Sequence, residues 1–81
     1  METRVAVISI IVESQDQTEL LNSILHEYRD YIIGRMGIPY KPKKISLISI
    51  AIDAPQNVIS ALAGKIGKLE GISAKTAMAA L

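Results

Sequence analysis

Eighty-one residues without a cysteine exclude a disulfide-stapled scaffold and a thiolate metal site. A formal net charge of +1 offers no general attraction to nucleic acid. The chain is 49% hydrophobic but only 4% aromatic, with neither Phe nor Trp, so its core is expected to be aliphatic. A domain this small buries only roughly 60–65% of the surface its unfolded chain exposes. With disulfides excluded, the expected support is self-association. Residues 1–81 read as one domain.

The first element is the apolar run Val5–Val12, a strand. It is too short to span a bilayer, and the N-terminus lacks a small-residue cleavage site. A cytoplasmic protein is expected. Ser14–Asp16 is polar and suits a helix cap, after which Leu20, Leu21, Ile24, Leu25 and Tyr28 recur at helical spacing. The segment His26 to Pro39 then mixes charged groups, two tyrosines and two glycines with aliphatic residues, and reads as a strand over about Tyr31–Ile38. Such a mixture points to an interface or a binding surface. Pro39 to Lys44 makes the turn into a second strongly apolar strand at Ile45–Ile52. Pro55 suits the first turn of the next helix. Val58, Ile59, Leu62, Ile66 and Leu69 mark its face, Gly64 suits close packing, and Gly67 suits a left-handed stop. A last strand follows at about Ile72–Ala79.

The two halves resemble each other at an offset of about forty residues. Ile8-Ser9-Ile10 repeats as Ile48-Ser49-Ile50, and each strand ends in a carboxylate, Glu13 or Asp53, before its helix. The order βαββαβ predicts an α+β, ferredoxin-like unit: a four-stranded antiparallel sheet covered on one face by two helices. Right-handed crossovers put the two most apolar strands at its centre.

Alternation separates the sheet faces. Ala6, Ile8, Ile10 and Val12 with Ile48, Ile50 and Ile52 are assigned to the helix-covered core. Val5, Val7, Ser9 and Ile11 with Ile45, Leu47, Ser49 and Ala51 form the other face. That face is still mostly apolar, the mark of an interaction surface, so a homo-oligomer (dimer or tetramer) through it is expected, with a partner protein as the alternative cover. On the second strand the same outer set is expected to include Tyr31, Ile33 and Arg35, with Asp30, Ile32 and Met36 pointing the other way. Gly34 and Gly37 suit a bulge or a close backbone approach. Tyr31, Arg35, Ser9 and Ser49 are therefore the candidate ligand-binding or interface residues.

No catalytic signature is present. His26-Glu27-Tyr28-Arg29-Asp30 lacks the second histidine of H-E-x-x-H. One histidine and no cysteine argue against a transition-metal site within one chain, and no cofactor motif occurs. His26 reads as a polar group near a helix C-terminus. Arg35, Lys41, Lys43 and Lys44 read as a solvated basic turn, because nucleic-acid binding would call for stacking aromatics on the sheet.

The segments HEYRDYIIGRMGIPY and ISLISIAIDAPQNVISALAGKIGKLEGISAKTAM resemble the small proteins known as iron-only hydrogenase system regulators. The resemblance covers nearly the whole chain and implies an ACT-like fold, similar to the C-terminal domain of the nickel-responsive repressor. It carries over no ligand or catalytic residues: the repressor's histidines and cysteine are missing here, and the junction Glu13–Asp16 lacks the glycine of many amino-acid-binding ACT domains. The implied function is a regulatory module without its own DNA-binding domain, sensing a small ligand or docking on a partner. A structural or maturation partner acting only through protein contacts is the alternative. A small enzyme of the same topology is disfavoured by the aliphatic pattern.

Overall fold

The computed structural model describes residues 2–80; residues 1 and 81 of the expected domain lie outside it. The elements are β1 (Arg4–Val12), α1 (Thr18–Glu27), β2 (Ile32–Tyr40), β3 (Ile45–Ala54), α2 (Gln56–Gly67) and β4 (Ile72–Met78). The sheet order is β2-β3-β1-β4, antiparallel throughout. This is the ferredoxin-like arrangement expected from the sequence, with the two Ile-rich strands central. Among the described residues no helix is long and apolar enough to cross a membrane.

Val and Ile favour a strand, and burial along β1 alternates with period two. Ala6, Ile8, Ile10 and Val12 are buried while Val7, Ser9 and Ile11 are exposed. Register then fixes β3. Ile8 pairs with Ile50 and Ala6 with Ile52 on the helix side, and Ser9 lies directly opposite Ser49 on the outer side. The Ser9–Ser49 pair is also the point where the sequence repeat maps one strand onto the other, so the local two-fold of the fold passes through it.

The core closes with Leu21 and Leu25 from α1 and Ile59, Leu62 and Ile66 from α2. Ile24, Tyr28, Val58 and Leu69 pack against it half-buried, but Leu20, at the margin of the periodic set on α1, faces solvent.

Several local expectations are corrected. A 3-10 turn at Gln15–Gln17 separates Ser14 from α1, and Ser14 makes no side-chain cap. Pro55 stands at the N-cap of α2, where its carbonyl accepts from the amides of Val58 and Ile59. Gly67 is the last helical residue and is followed by a right-handed Lys68. The left-handed glycine is Gly71, at φ 75°. A Cβ there would lie 2.5 Å from Ser14 Cβ, and the Gly71 carbonyl accepts from the Glu13 amide at 2.7 Å. Gly71 thus clamps the start of β4 to the exit of β1. Gly64 faces open space, so it supplies no close packing.

The largest correction concerns β2, which begins at Ile32 after a 3-10 turn at Arg29–Tyr31. Its pairing with β3 slips between Ile32 and Gly34: Ile32 lies opposite Ile52, but Gly34 lies opposite Ala51. Ile33 is the bulged residue. One extra residue reverses the alternation beyond it. Arg35 therefore pairs with the buried Ile50 on the helix side, while Met36 and Ile38 pair with Ser49 and Leu47 on the outer side.

Candidate functional site

Two surfaces concentrate the unusual side chains. The outer sheet face carries Val7 and Ile11 from β1, Leu47 from β3, and Met36, Ile38 and Tyr40 from β2, all of them exposed. The three β2 side chains show between 46% and 61% of their surface. Cross-strand pairing builds a row Met36–Ser49–Ser9–Lys75 across all four strands, flanked by a row Ile38–Leu47–Ile11–Ser73. A shallow depression of about 210 Å³ lies between Ser9, Ser49, Met36 and Ile38. The surface is apolar with a narrow polar stripe.

The second surface lies on the opposite face. Beyond Ile32 the helix side of β2 is not roofed, and a cleft of about 290 Å³ opens between β2 and α1. Asn22, Leu25, His26, Arg29, Ile32 and Arg35 line it. Asn22 and His26 are one turn apart on α1, and Arg29 opens the 3-10 turn that follows it and lines the same cleft. Arg35 Nη2 donates to Asn22 Oδ1 at 2.9 Å, and Arg29 Nη1 donates to the His26 carbonyl at 2.9 Å.

Of the four residues singled out by sequence, the structure brings Ser9 and Ser49 together and separates them from the other two. Arg35 is on the opposite face because of the Ile33 bulge. Tyr31 is not in the strand; it lies in the preceding turn with its ring centroid 6.5 Å from that of Tyr28, at the end of α1. The Lys65 ammonium sits 5.0 Å over the Tyr28 ring and 3.3 Å from Glu27 Oε2, bridging the two helices. The Tyr28 side chain first, and Glu27 second, hold Lys65 above its ordinary pKa. Sequence reasoning missed Asn22 and Arg29 as site residues, although the spacing from Asn22 through His26 to Arg29 was the available signal. Among the described residues no three His, Asp or Glu side chains converge as metal ligands.

A four-stranded antiparallel sheet with two helices on one face, a bare apolar second face and a small cationic cleft define a small α+β protein of ferredoxin-like topology. The chain belongs to the family described as "TM1266-like: Iron-only hydrogenase system regulator, putative", which it matches over residues 4–76. The structure of the uncharacterized protein TM1266 from Thermotoga maritima superposes with a TM-score of 0.91 at 27% identity, covering 95% of this chain and 98% of that one. A protein of Saccharolobus solfataricus described as "Putative nickel-responsive regulator" is 29% identical over 66 residues; the match spans 82% of this chain but only 49% of that protein. The chain thus spans about half the length of that curated relative. A formyltetrahydrofolate deformylase from Pseudomonas putida KT2440 shares the fold alone, at a TM-score of 0.65 and 14% identity over 90% of this chain and 28% of that one.

Proposed function

We propose that this chain is a non-catalytic regulatory module of an iron-only hydrogenase system. In this reading it is an ACT-like homo-oligomer, a dimer or tetramer closed through the outer sheet face, that couples a small ligand or a docked partner to its assembly state. The observation that carries it is the outer face itself. Six large apolar side chains, Val7, Ile11, Met36, Ile38, Tyr40 and Leu47, are exposed on the face that neither helix covers, and an exposed apolar face marks association.

The absence of a nucleophile's partner supports the non-catalytic part. Ser9 and Ser49 face each other with Lys75 and Met36 as row neighbours, and the sole histidine lies across the sheet. Nickel response is not extended to this chain, which has one histidine and no cysteine.

Native mass spectrometry of the purified protein tests the proposal. A dimer or tetramer is expected. A bare monomer at micromolar concentration would overturn the homo-oligomer and leave the face to a different protein.

A further inference from the structure

We propose that the cleft between α1 and β2 is a binding site for a small organic oxyanion, a carboxylate or phosphate ester, gripped by Arg29 and Arg35. The site gives the regulatory module proposed above an effector, and it is built within one protomer.

Four observations converge. First, the bulge at Ile33 turns Arg35 away from the apolar face and aims it at α1, where His26 from the helix and Arg29 from the turn that follows it line the same cleft. Second, no carboxylate lines the cleft. The nearby Glu27 carboxylate is engaged by Lys65, and among the described residues neither arginine has an ion-pair partner. Third, each guanidinium is oriented by one neutral acceptor, Asn22 Oδ1 for Arg35 and the His26 carbonyl for Arg29. A guanidinium has five N–H donors in a planar fork, so each retains donors suited to a carboxylate or phosphate. Fourth, the lining includes Leu25, which is buried, and Ile32, which is half-buried. They offer apolar contact to the carbon portion of an organic anion, which free arginines on an open surface do not.

Anion binding is read by amide chemical-shift titration of the protein with sodium phosphate and, separately, with sodium butanoate. Sodium chloride holds the ionic strength constant, because exposed charges are screened by salt. Saturable shifts centred on Asn22, His26, Arg29 and Arg35 are expected with at least one probe. Saturation by phosphate alone assigns a phosphate-bearing ligand, and saturation by butanoate alone assigns a carboxylate.

Arg35→Gln and Arg29→Gln each remove a charged donor and should weaken binding roughly tenfold or more. Arg29→Gln leaves the Arg35–Asn22 contact in place, so it tests the site even if Arg35→Gln disturbs the strand. Lys43→Gln, on the β2–β3 turn, should leave binding unchanged. Repeating the titration on Leu47→Glu, altered on the other face of the sheet, separates the two proposals: saturation there is expected whatever the assembly state. Shifts that do not saturate with either probe, that spread over the turn lysines, or that persist in both arginine variants would overturn the site.

Discussion

Leu47→Glu is the sharpest probe of the outer face. In the protomer Leu47 lies between Ile38 and Ile11, 40% exposed. Fully burying a leucine contributes about 1.5–3 kcal/mol, so covering the exposed fraction contributes about 1 kcal/mol per protomer. A two-fold interface counts each residue twice, giving about 2 kcal/mol for the pair. Glutamate forgoes that gain and places a carboxylate in a row, Ile38–Leu47–Ile11–Ser73, that holds no cation. An unpaired charge at a closed interface costs several kcal/mol more. Together these weaken dimerisation by at least about a thousandfold. Sedimentation velocity across a concentration series measures the shift, with Leu47→Met as a control that keeps volume and association. A Leu47→Glu protein that sediments like the wild type would show that this face is not the interface.

Other outcomes follow from the fold. Gly71→Ala should destabilise by at least about 1–2 kcal/mol from the left-handed backbone, with the overlap on Ser14 adding to it; urea unfolding that matches the wild type would refute the clamp. Ile50→Val, at a fully buried position, should cost about 0.5–1.5 kcal/mol in the same assay. The Lys65 interactions raise its folded-state pKa above the ordinary 10.5. Their stabilisation is therefore fully present below that value and lost as pH rises through the raised one. Lys65→Met should accordingly destabilise at neutral pH, with the difference from wild type vanishing in strong alkali when melting is followed against pH. Both partners of the Lys65–Glu27 bridge are largely exposed, so the effect should be small.

The central strands were legible because β1 and β3 pair without a break, so that side chains alternate between faces and leave one face assignment for Ala6 through Val12 and for Ile48 through Ile52. The helices were legible from Leu21, Leu25, Ile59, Leu62 and Ile66, which stand on the predicted faces and are all buried. The candidate site was only half legible. Alternation carries a side chain to its face only while pairing is unbroken. The break at Ile33 is a two-against-one pairing with β3 that the neighbouring glycine hinted at but could not locate. Tyr31 failed for a related reason: the 3-10 turn consumed the residues assigned to the start of the strand. Helix periodicity ends near Gly67 and points to it, whereas the left-handed conformation falls at Gly71, where Ser14 leaves no room for a Cβ.

The bulge also has a genetic reading. Loss of the single codon for Ile33 would remove only the extra residue: Ile32 would still pair with Ile52 and Gly34 with Ala51, so Arg35 would stay on the helix side and Met36 and Ile38 on the outer side. Loss of a codon between Gly34 and Tyr40 would instead exchange the faces of the residues beyond it. Among related chains this strand is therefore expected to tolerate in-frame loss or substitution at the exposed Ile33 far better than a one-codon deletion in the paired stretch that follows.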